Sequence, residues 1–179
     1  LAWEILAKYS GGSGTEADPY QIANKQDLLN MAAAIEDYDK HFVLMADIDL
    51  AGQTFTTAVI ARNTDAVDRD FQGAFFCGTF DGRGHSIMNL TINNYNGDFV
   101  GLFGDNGGTI KNLTLTHAMV RGDWYAGLLA GDNWGTISHC FVYGSIDADE
   151  LVGGITAVNY GLIERCYANC DVYGTDTCG

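Results

Sequence analysis

The chain repeats itself at a period of 26 residues, and that period dictates what it can fold into. Phe99-Val-Gly-Leu-Phe-Gly104 returns as Tyr125-Ala-Gly-Leu-Leu-Ala130 and as Leu151-Val-Gly-Gly-Ile-Thr156, with Gly101, Gly127 and Gly153 in step. Each copy continues through an asparagine (Asn106, Asn133, Asn159), a small turn and an isoleucine (Ile110, Ile137, Ile163). Three further columns follow: Leu113/Cys140/Cys166, Leu115/Val142/Ala168 and Val120/Ile146/Val172. A unit of roughly 20 to 30 residues with no helical period inside it is the mark of a β-solenoid. An earlier, degenerate copy runs from Gly78 through Ile87 to Leu90 and Ile92, which match Ile110, Leu113 and Leu115 at a spacing of 23. Further back, Phe42–Leu50 reads as a first coil.

Stacking explains the residue types. Successive coils pair as parallel strands about 4.8 Å apart, so each residue lies over its equivalent one coil away. Ile110/Ile137/Ile163 and Val120/Ile146/Val172 are then inward ladders. Asn106/Asn133/Asn159 is a candidate amide ladder, in which each side chain satisfies the next. Glycines are expected to supply positive φ at the corners. Whether the Val100 or the Gly101 column points inward stays open, since both hold small or apolar residues.

Ahead of the coils the pattern changes. Tyr20-Gln-Ile22 reads as a strand, and Asn24 caps a helix with Asp27 at its third position in a capping-box-like pair. Leu28, Leu29, Met31, Ala32 and Ile35 give that helix an apolar face. A solenoid must hide the open end of its first coil, and this helix is the expected lid. The division is therefore an N-terminal extension and linker over 1–14, strand and capping helix over 15–41, and coils over 42–179, with repeats starting near 75, 99, 125 and 151. The expected fold class is all-β, a right-handed parallel β-helix with a short N-terminal capping helix.

Composition narrows the setting. A single proline against 23 glycines suits many short strands joined by tight turns. The net charge is −14, and from Arg121 onward the only cations are Arg121 and Arg165. That balance excludes nucleic acid and an anionic membrane as partners, and no apolar run is long enough for membrane insertion. The chain opens at Leu1 without an export signal, which reads as a mature chain or a fragment.

Gly101-Leu-Phe-Gly104 matches the GLUG motif, Gly-Leu-hydrophobic-Gly, and recurs as Gly127-Leu-Leu-Ala-Gly131 and, weakened, as Gly153-Gly-Ile-Thr156. Gly135-Thr-Ile-Ser-His-Cys-Phe141, Phe80-Asp-Gly-Arg-Gly-His-Ser-Ile87 and the opening Gly14-Thr-Glu-Ala-Asp-Pro-Tyr-Gln-Ile22 fit the same pattern. From about residue 10 the chain resembles the GLUG-repeat family. Such repeats occur in bacterial surface proteins, filamentous-haemagglutinin-like adhesins and non-catalytic parts of IgA1-specific metallopeptidases. The resemblance implies an extracellular or cell-surface module without catalytic residues of its own.

Four groups of residues are candidate sites. The enzyme reading needs clustered carboxylates with a basic residue or a spaced acid pair. Asp47/Asp49 and Asp147/Asp149 alternate along strands, but only Arg121, in register below Asp147, stands near either pair; His85, His117 and His139 fall at turns without a nucleophile in step. A cation site is possible where Asp98, Asp123, Asp149 and Glu150 share a corner; calcium would relieve their repulsion, and no other cofactor is expected. Trp134 and Tyr160, each following a ladder asparagine, should stack outside the core, with Trp124 and Tyr125 as a second aromatic spot; stacked aromatics there serve a sugar, a protein partner or mere packing. Lastly, Cys140 and Cys166 stack as free thiols or a disulfide, with parallel Cβ vectors favouring thiols, while Cys170 and Cys178 are the better candidates for a bond. Asn89-Leu-Thr91 and Asn112-Leu-Thr114 are sequons.

The reading that follows is a non-catalytic structural or adhesive module binding a protein or glycan at the cell surface. The alternative is a carbohydrate-binding or polysaccharide-processing β-helix. The last coil, around Ile163, Cys166, Ala168 and Val172, has no second lid in the sequence. It is expected to continue into more chain or to stack end to end on another subunit.

Overall fold

Each short strand of the repeat pairs in parallel with its equivalent one coil away, and four such stacks form the walls of a solenoid. The computed structural model describes residues 7–65 and 69–175. The first wall pairs Trp124–Gly127 with Glu150–Gly153, and Val100 bridges to Ala126 below it. The second stacks Phe103–Asn106, Ala130–Asn133 and Thr156–Asn159. The third is six strands deep, from Tyr20–Ile22 through His41–Leu44, Thr79–Asp81, Thr109–Lys111 and Thr136–Ser138 to Leu162–Glu164. The fourth carries the long strands Thr114–Arg121, Phe141–Ala148 and Tyr167–Gly174. The chain is thus a parallel β-solenoid of about 6 turns with one helix.

The predicted ladders hold. Ile137 lies against Ile110 on one side and Ile163 on the other. The column begins with aromatics, Tyr20 against Phe42 and Phe42 against Phe80, before Ile110 takes over. Phe42, Phe80, Ile110 and Ile137 are fully buried, which stabilises by about 1.5–3 kcal/mol for each side chain. Val100, Ala126 and Val152 form the inward column of the first wall. Their glycine neighbours are pressed against backbone, and a Cβ on Gly127 would come within 2.0 Å of the Ala130 carbonyl oxygen.

The earliest copy is out of step with the 23-residue alignment. Ile87 lies against Leu115 and Ile92 against Val120, while Phe80 takes the place opposite Ile110. The match of Ile87, Leu90 and Ile92 with Ile110, Leu113 and Leu115 is therefore incorrect by one wall. Phe80–Ile87 spans the third wall, a corner and the start of the fourth, and both walls offer similar apolar spacing. The coil below it is interrupted as well. Ile60 bridges Phe103 and Phe76 bridges Asn106, so two positions 16 apart pair with two that are 3 apart. The described residues between them form a loop inserted into the second wall.

Residues expected to be a linker are part of the lid. Tyr9 is buried in the core and packs on Tyr20 and Phe42 with ring centroids 4.5 and 5.6 Å apart. Ser10 and Gly11 exchange backbone hydrogen bonds with Gln21, and Lys8 bonds Glu36 and Asp37, each at 2.7 Å. The helix Lys25–Ala33 starts as expected: Asn24 Oδ1 accepts from Asp27 N–H at 3.0 Å, and Asp27 Oδ2 accepts from Ala23 N–H at 2.9 Å. Leu28 and Met31 are fully buried over the first coil. Ile35 is exposed rather than on the apolar face, because the helix ends at Ala33 and a 3₁₀ turn follows.

The corners of the repeat do not rely on glycine. Phe99, Tyr125 and Leu151 take φ of 52°, 55° and 51° at one corner; Asn112, His139 and Arg165 take 53°, 52° and 53° at another. Left-handed backbone costs a non-glycine residue roughly 1–2 kcal/mol, and stacking of equivalent side chains offsets it. The Phe99 and Tyr125 rings lie 4.3 Å apart and nearly parallel. In the last described coil Ile163 and Val172 are half-buried, where Ile137 and Ile146 one coil earlier are fully buried.

Candidate functional site

The asparagine ladder forms as predicted and fixes one edge of the second wall. Asn106 Nδ2 donates to Asn133 Oδ1, and Asn133 Nδ2 to Asn159 Oδ1, each at 2.7 Å. The next residue in each coil is therefore held at one height on the outside of the wall: Gly107, Trp134 and Tyr160. The Trp134 and Tyr160 rings stack at 4.2 Å between centroids, although the residues are 59% and 63% exposed. Gly107 puts no side chain below Trp134, so the indole face toward that coil has no partner in its own column.

Beneath these rings runs a cleft of about 630 Å³. Its floor is the second wall, including Asp105 and Asp132; Phe99 and Tyr125 border it at the corner, and Phe71 and Phe75 of the inserted loop close the far side. The loop is pinned across the corner. Phe71 meets Phe99 edge-on at 5.3 Å, and the Arg69 guanidinium lies 3.3 Å above the Trp124 ring.

Asp105 and Asp132 are paired residues of adjacent strands, so their backbones stand about 4.8 Å apart. Both are more than nine-tenths buried, yet both line the cleft. They differ in their partners. Asp132 accepts from the Trp134 indole N–H at 3.0 Å and from Asn133 N–H at 2.8 Å. Burial raises its carboxyl above the usual range, and these two N–H donors oppose the rise. The Asp105 backbone carbonyl accepts from Phe76 N–H at 3.1 Å, but its carboxylate receives no hydrogen bond from any described residue. Burial first, then the charge of Asp132, push its carboxyl up to about 6. One carboxylate is thus locked and oriented, and its neighbour is a buried acid that changes charge near neutrality.

The other predicted sites assemble less completely. Tyr125 joins the cleft, but Trp124 is covered by Arg69 and is not a second open platform. Asp98, Asp123, Asp149 and Glu150 do not converge: Asp98 turns inward and accepts from Trp124 N–H at 3.1 Å. Among the described residues no group of three or more His, Cys, Asp or Glu is placed to hold a metal ion. Asp47 and Asp49 do not act as a pair: Asp47 lies just ahead of the strand Ile48–Asp49, and the two carboxylates take separate partners. Asp47 accepts from Ser86 N–H and faces His85 Nδ1, while Asp49 binds Ala51 N–H and Asn89. Arg121 stacks in register with Asp147, but Asp147 accepts from the Tyr95 hydroxyl at 3.0 Å. Cys140 and Cys166 are free thiols, Cys140 being fully buried; Cys170 is half-buried and free, and Cys178 lies outside the described residues.

No family model matches the chain. Halomucin of Haloquadratum walsbyi is 33% identical over 178 aligned residues, covering 92% of this chain and 2% of that protein. A protein of Evansella cellulosilytica assigned as a Gly-rich membrane protein is 34% identical over 141 residues, covering 75% of this chain and 15% of its own length. The chain thus corresponds to a small part of each of these curated relatives. Among solved structures, a Bacteroides ovatus protein assigned as an immunoglobulin A1 protease shares the fold with a TM-score of 0.53 and 19% identity, over 97% of this chain and 73% of that one.

Sequence reasoning missed Asp105, Asp132 and the inserted loop. The signal was present: Asp105-Asn106 and Asp132-Asn133 repeat an acid immediately before each of the first two ladder asparagines. An acid beside an inward-locked amide cannot point into the same core, which places it on the outer surface of that wall.

Proposed function

We propose that the chain is a β-solenoid segment of an extracellular or cell-surface protein of the GLUG-repeat type, acting as a non-catalytic adhesive module that recognises a saccharide in the cleft. The observation that carries this reading is the stacked Trp134–Tyr160 pair, more than half exposed and walled into a concave site. Aromatic faces left open to water beside polar acceptors suit the apolar faces and hydroxyls of a sugar ring. The surface setting is supported by the two relatives, one a membrane protein and the other a mucin by name, and by the net charge of −14.

The test is a saccharide array probed with the chain and with Trp134→Ala. Binding to a restricted set of glycans, lost in the variant, is the expected result. An array on which both proteins behave alike would reduce the module to a scaffold. The acid pair gives the polysaccharide-processing alternative its one structural support, since a buried carboxyl raised to about 6 beside a second carboxyl held by two N–H donors resembles a general-acid arrangement. Release of reducing ends from a bound polysaccharide, abolished in Asp105→Asn, would replace adhesion with hydrolysis.

A further inference from the structure

We infer that the saccharide carries a free amine, with its ammonium group seated between Asp105 and Asp132 and its ring against the open face of Trp134 above Gly107. The inference rests on the saccharide reading and names the class of sugar.

Three features lead to it. Asp105 is only 8% exposed and lines the cleft, and its carboxylate has no donor among the described residues. Its in-register neighbour Asp132 is bonded only by neutral N–H groups. Two carboxylates in adjacent strands repel, and a cation between them removes that repulsion while giving Asp105 the donor it lacks.

The charged and titratable groups around the pair are Arg69 and Asp70 of the inserted loop, Tyr125 at the corner and Tyr160 one coil on. Arg69 is the only cation lining the cleft among the described residues. Its guanidinium is engaged over Trp124, and its charge acts on Asp98 rather than on Asp105.

The second feature is the vacant place in the aromatic column. Trp134 is covered by Tyr160 on one face, while Gly107 leaves the other bare. A Cβ on Gly107 would meet Phe75 Cδ2 at 3.4 Å and Phe76 O at 3.6 Å, ordinary contacts, so the position accepts a Cβ without displacing backbone. A ring there rests on the indole two residues along the chain from Asp105, about 6–7 Å away by the rise of an extended strand. The third is the chemistry of the walls: Tyr125 also lines the cleft, and an ammonium held near it gains from its ring.

The test is calorimetric titration of this chain with glucosamine tetramer and with N-acetylglucosamine tetramer at pH 7, using wild type, Asp105→Asn and Gly107→Phe. The inference predicts at least tenfold tighter binding of the free amine. Asp105→Asn should abolish that preference, and Gly107→Phe, which fills the ring's place without touching the acids, should abolish binding of both sugars. A preference that survives in Asp105→Asn would mean general attraction of a cation to an acidic protein, and would overturn the inference. Equal binding of both tetramers, lost in Gly107→Phe, would overturn it while leaving the saccharide reading intact. Binding of neither tetramer, with hits on the array, would have the same consequence; binding of neither, with a blank array, would remove both.

Discussion

Asn106 donates its side-chain amide to the side-chain oxygen of Asn133 in the next coil at 2.7 Å, and both side chains are shut off from water. Asn133 passes the bond on to Asn159, which is exposed. The ladder therefore has an expensive middle and a cheap end. Removing Asn133 breaks two bonds and leaves the buried Asn106 amide poorly satisfied. Asn133→Ala should lower unfolding free energy by about 2–3 kcal/mol in urea titration, and Asn159→Ala by less than about 1 kcal/mol. A loss below about 1 kcal/mol for Asn133→Ala would mean that the ladder does not bear on stability.

The isoleucine column makes a parallel prediction. Ile137 is fully buried between Ile110 and Ile163, whereas Ile163 is half-buried. Ile137→Ala should cost about 2–5 kcal/mol through lost burial and the cavity left behind. Ile163→Ala should cost clearly less, measured by the same denaturant midpoint.

Asp105 is expected to weaken the fold at neutral pH. Its carboxyl is raised from 3.8 to about 6 on folding, so the folded chain holds a proton that the unfolded chain has released between those values. The stability this proton brings is complete below about pH 4 and is lost as pH rises through 6. Asp105→Asn should thus raise the melting temperature at pH 7.5, by the equivalent of about 1–3 kcal/mol, and change it little at pH 3.5. A variant less stable than wild type at pH 7.5 would show that the buried carboxylate is satisfied in a way the cleft does not display. A stabilising loss of a functional group is what a site built for a ligand predicts.

The later coils were legible because stacking writes the same chemistry at the same place in every repeat: Ile110/Ile137/Ile163 and the asparagines could be read by counting. The earlier coils were not. The inserted loop between Ile60 and Phe76 breaks the count, and Ile87 fits two apolar columns equally well until strand pairing assigns it to Leu115. Tyr9 sits beyond a glycine-rich stretch that resembles a linker, and only the backbone bonds of Ser10 and Gly11 to Gln21 show that it folds back. Of the site, the Trp134–Tyr160 stack followed from the ladder, but the cleft did not. Its far wall comes from the insertion, and its acids belong to a column that reads Asp105, Asp132, Val158 and so never announces itself as a repeat.

Thiol chemistry gives an independent check on burial. Cys77 is exposed, while Cys140 is buried and its thiol pushed up to about 12 by loss of solvent. Iodoacetamide at pH 8 should modify Cys77 within minutes and reach Cys140 only after denaturation, as located by peptide mass spectrometry. Rapid native labelling of Cys140 would mean that the third and fourth walls open at that corner.

The central claim, that the cleft is a binding site, is tested most directly by nuclear magnetic resonance. The isotope-labelled chain would be titrated with the saccharide that binds best on the array, following the Trp134 indole N–H, which is bonded to Asp132. The account predicts saturable shifts of that signal and of the Asp105, Gly107 and Tyr125 amides, while the Trp124 indole beneath Arg69 moves little. Shifts confined to other walls, or a Trp134 indole unmoved at saturation, would contradict it.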